Sequence, residues 1–215
     1  MKVLTNTNRS NDILTKIQNN WATVLSLAGK IENTETKAGA LELCDKLHDR
    51  LAVCPASSKT EYVGAFPGGL VFHSLNVLKI MKDMRKALEL EDKVSTDSLI
   101  VLGLFHDIGK LGNEDNDYYL PQSSEYHRNR GNPYEFNQDL LNIPVATRSL
   151  WWLNRFSIWL SENEIHALNT LNVKGTEIVS YVPSLRDPWE AYLLQSAVRA
   201  ACLKYGGFKS ILDTP

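Results

Sequence analysis

Seven consecutive apolar or small residues, Leu99 to Phe105 (LIVLGLF), run straight into His106 and Asp107, and this junction constrains the fold more than any other stretch. A helix built from that run is apolar on every side, so it must be wrapped by other elements and forms the centre of its domain. Ser95 or Thr96 can cap its start. At its far end two adjacent polar residues would be costly to bury without a partner. A divalent cation is a good partner, because neutral imidazole nitrogen and carboxylate oxygen are both ligands and neighbours at a helix end can converge on one ion.

The rest of the chain has helical periodicity, with no long run of alternating β-branched residues to compete with it. Ile13, Ile17, Trp21 and Val24 mark a first amphipathic helix, and Ala40, Cys44, Leu47 and Leu51 a second that ends before Pro55. Pro67 and the glycines of GAFPGGL delay the next helix until Gly69. That third helix carries His73, which precedes Val77, Ile80, Met84 and Leu88 by 4, 7, 11 and 15 residues. His73 therefore points inward with an apolar stripe and can meet the His-Asp pair.

Gly109 and Gly112 offer stops after the central helix, and Asn113 to Pro133 reads as a long loop of the kind that often carries function. Further helices are expected around Ala146 to Trp159, after the capping box Ser161-x-x-Glu164, and from Asp187-Pro188 to Gly206. The expected fold is all-α, a helical bundle with a metal site between core helices. Residues 1–54 form N-terminal helices packed on the core, 55–206 the main domain and 207–215 a tail, all in one compact domain.

Hydrophobic residues make up 43% of the 215 and charged residues 22%, the mixture of a soluble globule. A net charge of -2 and a pI near 6.2 give no broad positive field, so no long nucleic acid is expected as a partner, whereas a small phosphorylated substrate is open. No stretch reaches the roughly 18 apolar residues of a membrane span, and the N-terminal segment has no apolar signal core. A cytoplasmic protein that does not engage membranes is expected. Cys44, Cys54 and Cys202 include no Cys-x-x-Cys pair and are expected as plain thiols.

Two segments in order, PGGLVFHS at Pro67–Ser74 and LFHDIGKLG at Leu104–Gly112, resemble the HD superfamily of metal-dependent phosphohydrolases. A lone His-Asp pair means little. His-Asp-Ile-Gly-Lys after an apolar helix, with Gly-Gly-Leu-x-x-His-Ser upstream, is fairly specific. Weaker likeness in YYLPQSSEYHRNRGNPYEFN, RSLWWL and LSENEIHAL is similar to HD proteins encoded by tailed phages, so that the resemblance covers roughly Pro55 to Tyr205.

The resemblance implies an HD-domain-like bundle whose one divalent ion is held by His73, His106 and Asp107. The metal and its water would attack a phosphate ester, commonly in nucleotides, with Asp107 as ligand and proton handler. Lys110 would neutralise a substrate phosphate, although a cation at a helix C-terminus is favourable without any ligand. The family's final aspartate ligand is missing: the matching segment reads Gln195-Ser196-Ala197-Val198. Asp187 reads better as a helix cap than as its replacement. A site of three protein ligands and water binds metal more weakly.

Other residues carry two readings each. Arg148 can grip phosphate as a fork or be a surface helix charge. His127, beside Arg128 and Arg130 in the long loop, suits a lid or nucleotide clamp, or a solvated histidine. His48 and His166 read as structural, and Trp151, Trp152, Phe156 and Trp159 as core or oligomer contacts more than base-stacking groups.

The function expected is a metal-dependent phosphohydrolase acting on a nucleotide or short oligonucleotide through a metal-activated water. The alternative is a non-catalytic HD-fold nucleotide-binding or regulatory protein that has lost the last aspartate, and a third reading is a helical interaction module. Two imidazoles and a carboxylate suit manganese, iron, cobalt, nickel or zinc, with magnesium less favoured. Localisation would be the host cytoplasm for a phage-encoded protein, and a homo-oligomer is left open.

Overall fold

The computed structural model describes residues 2–172 and 187–215, and residues 173–186 of the expected main domain lie outside the described residues. The helices in chain order are α1 (Lys2–Ala28), α2 (Thr34–Lys46), α3 (His48–Leu51), α4 (Gly69–Ala87), α5 (Thr96–Phe105), α6 (Glu125–Asn129), α7 (Val145–Arg155), α8 (Glu162–Asn169) and α9 (Trp189–Tyr205). The only strands among the described residues, β1 (Tyr119–Pro121) and β2 (Tyr134–Phe136), pair antiparallel with Tyr119 opposite Phe136 and Pro121 opposite Tyr134. The fold is an all-α bundle. No described helix is long and apolar enough to cross a membrane.

Helix α5 is the central helix. Every residue from Leu99 to Phe105 is buried, and Ser95 rather than Thr96 caps its start by accepting from the Ser98 amide. Asp97 accepts from the Glu32 and Asn33 amides at 2.8 and 2.9 Å, which ties the α1–α2 connection to this helix. Gly103 lets α4 cross at close range: a Cβ there would lie 2.6 Å from Leu78 Cβ and 2.9 Å from its Cα. The crossing sets the helix of His73 beside the helix that ends in His106. Ile17, Trp21 and Val24 of α1 join the same core as Leu193 and Leu194 of α9 and Ile211 of the C-terminal tail.

Several expected boundaries move. The second expected helix breaks at Leu47, whose φ of −105° and ψ of 7° separate α2 from α3. On α4 the stripe ends early: His73, Val77, Leu78 and Met81 are buried, but Leu88 is the exposed C-terminal cap. The expected loop 113–133 contains β1 and α6, because strands of three residues are too short to leave an alternating pattern. Helix α7 stops at Arg155, and the chain turns at Ser157 (φ 54°) before reaching Trp159. Asp187 is not the cap of α9. Pro188 occupies that position, and the Asp187 carboxylate lies 3.3 Å from His166 Nε2.

Candidate metal centre

His73 lies in the second turn of α4, His106 caps the C-terminus of α5, and Asp107 precedes a 3-10 turn, Ile108–Leu111. That turn is fixed from α7. The Ser149 hydroxyl donates to the His106 carbonyl and accepts from the Gly109 amide, both at 2.9 Å, while Trp152 Nε1 donates to the Gly112 carbonyl at 2.9 Å. A Cβ at Gly109 would lie 2.2 Å from the Val145 carbonyl oxygen, so only glycine lets the turn rest against α7. The glycines of HDIGKLG thus serve backbone contact as well as helix termination.

The structure brings His73, His106 and Asp107 together, with one ligand atom from each within 4.8 Å of the others. His73 Nε2 and His106 Nε2 stand 3.8 and 3.6 Å from Asp107 Oδ2. Donors about 2.0–2.1 Å from one tetrahedral ion are about 3.4 Å apart, so the trio needs only small inward shifts to share one. His106 Nδ1 faces the Gly103 carbonyl at 3.2 Å, which keeps its proton there and leaves Nε2 as a lone pair. That Nε2 is buried and has no hydrogen-bond partner. His73 Nδ1 is likewise buried and unpartnered. A neutral, unpartnered His106 Nε2 3.6 Å from an ionised carboxylate fits a divalent cation.

Electrostatics favour that set of protonation states. Burial, reinforced by His106, pushes the His73 imidazole down to about 3 against the opposing pull of Asp107. Burial also lowers His106. Burial alone would raise the Asp107 carboxyl, but Lys110 and the two imidazoles hold it well below the usual carboxylate range. Lys110 Nζ donates to Asp107 Oδ2 at 2.6 Å, and this carboxylate outweighs desolvation and raises the ammonium above its ordinary value. Near neutrality the site therefore holds two neutral imidazoles, one carboxylate and one ammonium.

Tyr119 lies near the site and was not singled out by the sequence, and two of the expected plain thiols lie near it as well. Tyr119 feels the Lys110 charge, but burial dominates and pushes its phenol up to about 12. Cys54 is a buried thiol whose Sγ donates to the Lys110 carbonyl at 3.4 Å. Cys202 of α9 is raised by burial and lies within the fields of Lys110 and Asp107. Val198, four residues earlier on the same face of α9, packs half-buried against the core.

The remaining expected site residues have other contacts. His127 is exposed on α6 with its ring 5.3 Å from Tyr126. Arg148 is not a surface charge: it is 4% exposed, its Nη2 donates to the Leu141 carbonyl at 2.8 Å, and its guanidinium stacks 5.2 Å from the Tyr118 ring. Trp152 is core, whereas Trp151 and Trp159 are exposed.

The helical bundle thus places two buried histidines and a partly buried aspartate where they could hold one metal ion. Consistent with this, the sequence model of the HD domain family matches residues 70–149, a stretch that includes His73, His106, Asp107, Lys110 and Ser149. Proteins of that family are generally metal-dependent hydrolases. No significant match is found among curated proteins or among solved structures. The likeness to phage-encoded proteins rests on the sequence segments alone.

Proposed function

We propose that this protein is a metal-dependent phosphohydrolase acting on the phosphoester of a nucleotide or short oligonucleotide. The observation that carries the proposal is the unpartnered Nε2 of His106, buried 3.6 Å from an ionised Asp107 beside a neutral His73. A divalent ion held there supplies Lewis acidity and lowers the pKa of water. His73 and His106 serve as neutral ligands whose orientation is fixed by α4 and by the Gly103 carbonyl. Asp107 is the anionic ligand and the proton acceptor. Lys110 neutralises Asp107 in this structure; were the carboxylate to hold a divalent ion, the Lys110 ammonium would be available to a substrate phosphate. His127 is proposed to meet parts of a substrate beyond the scissile phosphate.

Manganese, iron, cobalt, nickel and zinc suit this donor set better than magnesium. The test is hydrolysis of a panel of nucleotides, cyclic nucleotides and dinucleotides by protein saturated with manganese, cobalt or nickel. Wild type should turn over at least one member, and His106→Ala and Asp107→Ala should abolish that turnover. Metal-bound wild type that is inert on the whole panel would favour the second reading, a nucleotide-binding or regulatory protein. That reading rests on Val198, at the position where the resemblance leads one to expect a final aspartate.

A further inference from the structure

We infer that the cavity beside Arg148 binds an organic anion, a carboxylate or phosphate head carried on an apolar or aromatic body, at a place separate from the metal ligands. Arg148 is almost fully buried and keeps its charge, since an arginine side chain does not deprotonate in proteins. One guanidinium nitrogen, Nη2, is satisfied by the Leu141 carbonyl, and the ring of Tyr118 covers one face. The other, Nη1, is buried with no hydrogen-bond partner. Among the described residues no carboxylate forms an ion pair with it, in contrast to Arg50 and Arg155, which pair with Asp117 and Glu114. A buried cation without a counter-ion is costly, so this one suits an anionic partner that the described residues do not supply.

Arg148 borders a space for that counter-ion, and because Nη1 is itself closed off the guanidinium must turn slightly to meet an anion there. Arg148 lines a cavity of about 340 Å³ whose walls include Leu140, Ile143 and Trp151. Its volume falls at the lower end of small-molecule sites, about 300–1,000 Å³. None of His73, His106, Asp107 and Lys110 lines it. The apolar walls decide the class of ligand. Inorganic phosphate would leave most of its oxygens against carbon, whereas an acid on an apolar body spends its one charged end on the guanidinium and its remaining surface on the walls.

Calorimetric titration of the intact 215-residue, metal-free chain tests this, because failure of the hydrolase reading would leave the result untouched. The probes are 2-naphthoate, its neutral analogue 2-naphthamide, and inorganic phosphate. Wild type should bind 2-naphthoate more than about tenfold tighter than 2-naphthamide and show no saturable binding of phosphate. Arg148→Met should bring the acid down to the level of the amide. Ile143→Trp, at a partly solvent-facing wall, should fill the cavity and abolish binding of both, and it decides the matter should Arg148→Met fail to fold. Equal affinity for acid and amide, naphthoate binding that survives Ile143→Trp, or no naphthoate binding by wild type would overturn the inference.

Discussion

Replacing His106 by leucine separates what this residue does for metal binding from what it does for folding. In the metal-free protein its Nε2 is a buried acceptor with no partner, and leaving such a group unmet costs about 1–3 kcal/mol. Leucine removes that liability with a side chain of similar volume. It also gives up the Nδ1 contact to the Gly103 carbonyl, worth about 1 kcal/mol, and changes the shape of a packed site, costing less than about 1.5 kcal/mol. These terms oppose one another, so the metal-free variant should lie within about 1.5 kcal/mol of wild type. With metal the two diverge: at a free ion concentration about one hundred times Kd, wild type gains about 2.7 kcal/mol, and the variant gains nothing. Urea unfolding of both proteins, with chelator and with manganese or cobalt, reads all four stabilities. Equal stabilisation of both proteins by metal would refute the ligand assignment. A loss above about 4 kcal/mol without metal would mean that His106 holds the fold together rather than the ion.

Gly103→Ala should destabilise the protein by at least about 2 kcal/mol in the same assay, because its methyl would collide with the backbone and Cβ of Leu78. Ser149→Ala removes the hydroxyl that serves both the His106 carbonyl and the Gly109 amide, and should cost about 2–3 kcal/mol while weakening metal binding measured by titration. For pH the sign follows from His73, whose folded value of about 3 lies below its ordinary 6.5. The unfolded chain therefore takes up the proton first, and stability present above pH 6.5 is lost as pH falls towards 3, by about 1.4 kcal/mol per unit. His106 acts in the same direction, and Asp107, held below 3.8, adds its own loss only below that pH. A urea midpoint for metal-free protein that stays flat from pH 7 to 4.5 would contradict this. Val198→Asp should tighten manganese binding, by calorimetry, if α9 presents that position to the ion. A variant that unfolds and is not rescued by metal would show that Val198 faces only the core.

The parts of this protein that were legible in its sequence are those whose cause is local. LIVLGLF has no polar side to offer solvent, so burial of α5 and the polar pair at its end follow from seven letters. The capping box of Ser161 and Glu164 forms as its spacing demands. What escaped depends on contacts between distant segments. Ser149 is one polar residue of an amphipathic helix until the turn 40 residues upstream is laid against it. For Arg148 the sequence leaves a phosphate fork and a surface charge open, and the carbonyl of Leu141 and the ring of Tyr118 that make its burial tolerable sit in loops with no periodicity.

The same division explains the one place where the expected ligand set is incomplete. The motifs at His73 and at His106-Asp107 are contiguous strings, whereas the fourth position depends on how α9 lies across the bundle. There the chain offers Val198 and, one turn later, Cys202 within the fields of Asp107 and Lys110. Among the described residues the groups close enough to share an ion remain the two histidines and Asp107. Lys110 already neutralises that single carboxylate, so a divalent ion must displace a tightly held ammonium while lacking the second anion that would favour its entry. On the proposed reading, metal affinity rather than the geometry of the trio is the quantity on which activity would turn, and Lys110 is the group in the structure that competes for the carboxylate.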